Sequence, residues 1–478
     1  MSKNLNLLAF DLGASNGRAI LGRYDGKRLE LETIHKFKNG GVRVYGNDYW
    51  DILGLFQEIK NGLTKAVSKT SDNITSLGID TWGVDYGLLD KNDNLLTNPY
   101  HYRDSRTEGI MEEVNEYISQ EDIYFATGIQ FIWFNTLFQL YADKKYRPWI
   151  LNNAKTLLFT PDLLNYFLTG KKINEYTIAS TSQLFNPKKS EWADAIFDKL
   201  ELPQDIMQKI VFPGEEIGTI LEEVKNDCNI KKDLPVIAVG SHDTESAIAA
   251  TPLEDRERSV YISSGTWSLL GMELDNPYIN KESLQANYTN ECGVGEKIAF
   301  LKNLCGLWLI QECKAAWEKQ GMSLSYDEID AKARKAESGK FIIDPNDERF
   351  KNPDNMPEAI REYCRETNQP RPENYGEMAR GIYESLALSY KSAVEDLENL
   401  LDKNIDTINM VGGGINAEIL CQFTADVTER RVITGPEEAT AMGNILAQLM
   451  AAGEIDNLKE GREIIRNSVD LKEYIPEN

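Results

Sequence analysis

The 478-residue chain has only three histidines, His35, His101 and His242, too scattered to form a zinc-binding pattern, and its six cysteines include no CxxC pair. No apolar run approaches the roughly 20 residues needed to cross a bilayer. The first residues lack a basic start followed by an apolar core and a cleavage site, so a reducing, cytoplasmic setting is expected. Basic residues are outnumbered 52 to 76, which leaves a formal charge of -24. A surface this acidic repels nucleic-acid phosphates and anionic lipid, so neither a nucleic acid nor a membrane is expected as a partner. The same charge repels a nucleotide triphosphate. Any phosphate site must therefore overcome it locally, with backbone N–H groups and a metal cation.

What is present is a globular composition, 41% hydrophobic, long enough for two or three domains at roughly 150 residues each. The opening reads as strands over 5–11 and 18–24 joined by GASN, with a third over 29–35, a β-meander. Apolar spacing predicts a helix over about 49–67, and ITSLGIDTWGVDYGLLD (74–90) reads as strand, turn, strand. Residues 106–210 read as mostly helical, with Pro161 and Asp162 placed to start the helix of LLNYFL. DLPVIAVGSHDTESAIAAT (233–251) reads as a buried strand whose polar turn opens a helix. SVYISSGTWSLLGMEL (259–274) repeats the plan of the opening hairpin, which suggests a duplicated unit beginning near residue 250, with domains over 1–248 and 249–478.

Further on, Met378, Ile382, Leu386, Tyr390, Val394, Leu397 and Leu401 give one apolar face of a long helix. INMVGGGINAEILCQFTADV and RRVITGPEEATAMGNILAQLM then read as two successive strand, glycine turn and helix units. The stretch from Asp344 to Pro372, rich in Pro and Asn, reads as a surface excursion.

Two small-residue turns, Ala14 to Gly17 and Ser263 to Thr266, allow backbone N–H groups to approach phosphate oxygens closely. No GxxxxGK[ST] surrounds either turn, so the usual P-loop is excluded. Asp11, at the end of the first strand, suits a Mg²⁺ ion beside a triphosphate; a turn aspartate capping local amides is the plainer reading. Asp243, at the carboxyl end of an apolar strand, suits a group accepting a proton from a substrate hydroxyl; a helix N-cap is its plainer reading. Gly412 to Gly414 suit a flat adenine or ribose against the backbone, or simply a tight turn. Asp80, Trp82 and Asp85 read either as facing a cleft or as alternating polar positions on a solvated strand. Cys305 and Cys313 read as core thiols.

Six stretches in order, DLGASNGR, GIDTWGVDYGLLD, GSHDT, SSGTWS, GGGIN and EATAMGN, resemble the motifs of the FGGY family of carbohydrate kinases along nearly the whole chain. That family is similar to actin, hexokinase and the Hsp70 ATPase domain. The resemblance implies an α/β fold of two ribonuclease H-like lobes with a central cleft, an N-terminal domain binding sugar and the first phosphate motif, and a C-terminal nucleotide domain. It also implies a kinase using ATP and Mg²⁺. DTWGVD, YRDSRT, FNTLFQL, SHDT and FKNPDNMPEAI resemble the members that phosphorylate L-rhamnulose at its 1-hydroxyl. Gly83 and Val84 stand where glycerol kinases place an Arg-Glu pair and xylulokinases a Met-His pair, which argues against both of those substrates.

Carried over residue by residue, the resemblance implies Asp243 as catalytic base, and Gly83, His242 and Thr244 touching the ketose. It implies an ATP site lined by Ala14, Ser15, Asn16, Gly17, Arg18, Thr266, Asn303, Gln311 and Gly413, with Asp11 at the metal. Arg103 is left between reaching the sugar and holding the hairpin through Asp104. Two alternatives stay open: another ketose such as L-fuculose or L-xylulose, and an actin-fold ATP-binding regulator that phosphorylates no sugar. The chain is expected as a monomer or dimer, with a hinge near 245–258.

Overall fold

The computed structural model describes residues 4–477. The chain divides into two units: one holds residues up to Ala250 with Leu274–Phe300 and Ala439–Ser468, the other Thr251–Glu273, Leu301–Glu438 and the stretch from Val469.

In the first unit β1 (Leu5–Leu12), β2 (Asn16–Tyr24) and β3 (Leu29–Lys38) form the expected antiparallel meander. They are extended by β4 (Ser76–Thr81), β5 (Glu216–Thr219) and β6 (Pro235–Ile237) into a sheet of order β3-β2-β1-β4-β6-β5. The strands β4 and β6 run parallel to β1, and β5 closes the edge antiparallel. Leu7, Leu8, Ala9, Phe10 and Leu12 are all fully buried. A strand so apolar on both sides must be covered on both faces, which is why β1 shows no alternation. Asp11 is the exception in that run. Its register places it between Arg18 of β2 and Asp80 of β4.

The helix expected from about residue 49 begins at Ile52, because Asn47–Trp50 is a strand paired with Gly41–Val44 and the Asp51 carboxylate caps Gly54 N at 3.0 Å. Helices Asp243–Ala250 and Ala439–Ala451 pack so tightly that a Cβ on Gly443 would collide with the Ser246 carbonyl. This close crossing anchors the turn that carries Asp243. Residues 106–210 form short helices with brief strands between them, and Pro161 occupies the first turn of Thr160–Thr169 as expected.

In the second unit β7 (Ser259–Ser264), β8 (Trp267–Leu274), β9 (Ile298–Cys305), β10 (Thr407–Val411), β11 (Arg431–Thr434) and β12 (Lys472–Tyr474) are ordered β9-β8-β7-β10-β11-β12. The plan repeats that of the first sheet: an antiparallel hairpin, two parallel strands beyond it, and an antiparallel edge. The duplication inferred from the two hairpins thus extends to these six strands, while the second sheet has a seventh, Thr289–Cys292, at its other edge. The long apolar face belongs to helix Tyr375–Leu401.

The stretch 344–372 is not a mere surface excursion. It contains helix Met356–Glu366, with the Asn355 side chain as N-cap and Met356, Ile360 and Cys364 buried. Their spacing of four is an amphipathic signature that Pro357, tolerated in a first turn, hides from a reading by breakers. Trp308 Nε1 donates to the Phe350 carbonyl at 3.0 Å, and Cys305 N donates to Asn346 Oδ1 at 2.9 Å, fastening this segment to the end of β9. All six cysteines are free and buried, Cys305 and Cys313 included. Among the described residues no helix is long and apolar enough to cross a membrane.

Candidate active site

The SHDT turn is braced from the backbone outward. Thr81 N donates to the Ser241 carbonyl at 2.9 Å, tying the turn to the end of β4. His242 N donates to Thr177 Oγ1 at 3.1 Å, and Ser241 N donates to Glu175 at 3.3 Å. Glu175 also accepts from Thr177 N, Thr177 Oγ1 and Ile178 N, and burial pushes its carboxyl up to about 7 against those bonds. The His242 carbonyl accepts from Ser246 N at 3.2 Å, so His242 precedes the helix and Asp243 is its first residue. The side chain of Asp243 is therefore not spent as the N-cap. About 30% of it stays exposed, and Thr244 Oγ1 donates to its Oδ1 at 3.3 Å.

His242 is buried between two carboxylates. Its Nε2 lies 3.6 Å from Asp243 Oδ1, and its Nδ1 lies 3.1 Å from Glu291 Oε2. Burial works against its charge, but Glu291, Asp243 and Glu175 outweigh it and raise the imidazole above its ordinary range. The Asp243 carboxyl is raised by burial, opposed by the His242 charge, and raised again by Asp11. Gly83 adjoins the same ring: a Cβ there would stand 3.4 Å from His242 Nε2 and 3.4 Å from the Thr181 side chain. The next residue, Val84, holds a left-handed φ of 67°, unusual for a β-branched residue. Val84 N donates to Thr181 Oγ1 at 3.1 Å and its carbonyl accepts from Thr136 Oγ1 at 2.6 Å, so the turn is pinned from both sides.

Asp11 lies in the same unit. Arg18 Nη2 donates to its Oδ2 at 2.5 Å, placing the arginine on the carboxylate rather than out in solvent. Between Ser15 and Asn39 the small-residue turn is closed by Asn39 N, which donates to the Ser15 carbonyl at 3.1 Å, while Ser15 and Asn16 are exposed. Asp80 is fully buried and accepts from Asn444 Nδ2 at 2.6 Å. Its Oδ1 has no hydrogen-bond partner among the described residues. Burial, then the charge of Asp11, holds this carboxyl well above the usual range, with Asn444 opposing and Asp243 adding.

Neither Asp80 nor Asp85 lies on a solvated strand, because both are buried. Asp85 ties its surroundings together, accepting from Trp50 Nε1 at 2.6 Å, Trp82 Nε1 at 2.9 Å, Gln139 Nε2 at 2.9 Å and Tyr102 N at 3.1 Å. Asp104 accepts from Asp48 N at 2.8 Å and Arg106 N at 3.0 Å, and so ties residues 41–50 to its own turn, not the hairpin of 74–90. Arg103 lies over the Tyr102 ring, 5.5 Å from its centroid.

In the second unit the turn after β7 is wrapped by the segment following β9. Leu307 N donates to the Gly265 carbonyl at 2.9 Å, and Gly306 N and Trp308 N both donate to the Thr266 carbonyl at 3.2 Å. Thr266 Oγ1 donates to Gln311 Oε1 at 3.1 Å, joining two residues singled out on the sequence. The glycine turn meets the same hairpin, since a Cβ on Gly414 would collide with the Ser264 side chain. Around Gly413 a Cβ would find open space, as a backbone facing a flat ligand requires. Asn303 is half-buried on β9, two residues before Cys305.

Sequence reasoning did not find Glu291 or Glu175, and it reached Asn444 only as the end of EATAMGN, not as the partner of Asp80. These links escape a local pattern because each joins residues distant in the chain. The available signal was a carboxylate at Glu291 in a short strand, Thr289–Cys292, whose four residues are all buried.

With this geometry established, comparison with known proteins defines the class. Residues 6–249 match the N-terminal domain, and residues 260–452 the C-terminal domain, of the FGGY family of carbohydrate kinases. The chain belongs to that family and is a sugar kinase. Among individual relatives, a rhamnulokinase of Bacteroides thetaiotaomicron is 45% identical over 473 residues, covering 99% of this chain and 96% of the relative. A rhamnulokinase of Halalkalibacterium halodurans is 44% identical over 469 residues, covering 98% of each chain. Among solved structures, a ligand-bound xylulose kinase from Lactobacillus acidophilus superposes with a TM-score of 0.81 at 17% identity, covering 99% of this chain and 94% of its own. Plasmodium falciparum glycerol kinase with ADP gives 0.78 at 16% identity, covering 98% and 94%. The fold is thus the two-domain actin- and hexokinase-like fold of the sugar kinases.

Proposed function

We propose that the protein transfers the γ-phosphoryl group of ATP to the 1-hydroxyl of L-rhamnulose, giving L-rhamnulose 1-phosphate and ADP, in the cytoplasm. The observation that carries this reading is the meeting of Asp243 and His242 on one braced turn with Gly83 on the turn that adjoins it, within the unit that also holds Asp11. Relatives more than 40% identical over nearly the whole chain, all named rhamnulokinases, support the choice of sugar.

In this reading Asp243 accepts the proton of the attacking hydroxyl. The carboxylate orients the hydroxyl first and takes the proton late, since phosphoryl transfer depends mostly on positioning and charge stabilisation. Gly83, His242 and Thr244 bound the sugar. Ala14, Ser15, Asn16, Gly17 and Arg18 face the phosphates, while Thr266, Asn303, Gln311 and Gly413 line the rest of the nucleotide site. The work divides between residues 1–248 for the sugar and first phosphate turn and residues 249–478 for the nucleotide.

A Mg²⁺ ion fits this donor set. Carboxylate oxygens are the hard ligands it prefers, and the buried Asp80 Oδ1 next to Asp11 has no hydrogen-bond partner among the described residues. Asp11 would hold the ion, which supplies charge neutralisation for the phosphates.

The test is sugar-stimulated ADP release with a panel of ketoses. L-rhamnulose should give the highest kcat/KM; a higher value for L-fuculose or L-xylulose would move the assignment to that ketose, and no stimulation by any sugar would favour a nucleotide-binding regulator.

A further inference from the structure

The chemistry proposed above gives Glu291 no task, yet its placement is costly. The side chain is only 8% exposed, its Oε2 lies 3.1 Å from His242 Nδ1, and neither atom has a hydrogen-bond partner among the described residues. A carboxylate buried in this way needs a compensating cation, and the imidazole is the one in contact with it. Carboxylates crowd the ring from every side. Asp243 stands on its own helix, Glu245 one turn's start further along it, and Glu175 heads helix Tyr176–Ser180. Glu245, Glu291 and His242 offer ligand atoms all within 4.8 Å of one another. Glu291 lies against Nδ1, whereas Asp243 lies nearer Nε2.

An imidazole has two distinct nitrogens, and a carboxylate on one decides what the other presents. We propose that Glu291 is a positioning residue that pairs with the Nδ1–H of the His242 imidazolium, fixing the ring so that its Nε2–H faces Gly83 and Asp243 and donates a hydrogen bond to an oxygen of the ketose. This rests on the reading that the sugar lies against Gly83 and His242. Glu291 touches neither substrate nor reacting atoms; it acts through the ring alone.

The experiment uses the full-length protein labelled at histidine Cε1. With three histidines in the chain, the His242 signal is assigned by its loss in His242→Asn. In Glu291→Gln the titration midpoint of His242 should fall by about one pH unit or more, because removing the facing negative charge removes what favours the cation. Glu291→Asp should restore part of the shift. KM for the ketose should rise about tenfold or more in Glu291→Gln, the loss expected when a charge-assisted hydrogen bond weakens, while KM for ATP stays unchanged. Should no ketose prove to be a substrate, the titration still decides the positioning role, so the two readings fail separately. An identical His242 titration in wild type and Glu291→Gln overturns the proposal. So does a stoichiometric metal ion, found by elemental analysis, that is lost in Glu291→Gln, since that ion would occupy Nδ1 in place of the proton.

Discussion

Asn444 Nδ2 donates a 2.6 Å hydrogen bond to Asp80 Oδ2 from 364 residues further along the chain. The same helix sends Gln448 Nε2 to the Leu8 carbonyl at 3.1 Å, and Gln448 Oε1 accepts from Ser76 Oγ at 2.7 Å. A C-terminal helix thereby closes the polar groups at the centre of the first sheet. Asn444→Ala leaves Asp80 without its donor and should cost about 1–3 kcal/mol of stability, read by urea unfolding.

Asp243→Asn keeps the shape of the turn and removes the proton acceptor. Turnover should fall by at least about 100-fold, the lower range for a general base, while the calorimetric affinity for ADP stays within about twofold. Turnover close to wild type would take Asp243 out of the mechanism.

Gly83→Ala separates sugar binding from folding. The added methyl meets His242 Nε2 and Thr181 at 3.4 Å, ordinary van der Waals contact, so the melting temperature should hardly change. It projects against the proposed sugar wall, so KM for the ketose should rise while KM for ATP does not. Equal rises in both would show that Gly83 serves the turn and not the sugar.

Burial raises Asp85 from 3.8 to about 6, against the hydrogen bonds from Gln139, Trp50 and Trp82. A carboxyl raised on folding contributes stability that is complete below its unfolded value and lost as pH climbs through its folded one. From about pH 4 to about pH 6, wild type should therefore lose stability relative to Asp85→Asn, whose side chain does not titrate. A constant difference across that window, measured by denaturant unfolding, would contradict the assignment.

The hairpin that opens each sheet was legible because both share one local pattern, an apolar strand, a small-residue turn and a second strand; the order of the strands beyond was not. Local patterns also revealed Asp11, the SHDT turn and the glycine turn before Asn416. What escaped is non-local. Asp80 and Asp85 stayed between cleft and solvent because alternation cannot distinguish a polar residue facing either from one facing Asn444 or a pair of indoles. The helix Met356–Glu366 hid among prolines that merely open it. Glu291 carries no pattern of its own, since its meaning lies in the histidine it faces across the fold.

The most direct measurement is a structure of the complex with ADP and L-rhamnulose, read at one contact. The 1-hydroxyl oxygen of the sugar should lie within hydrogen-bonding distance of Asp243, about 3 Å, with the sugar bounded by Gly83 and His242. A sugar bound away from Asp243, or presenting a different hydroxyl to it, would contradict the account.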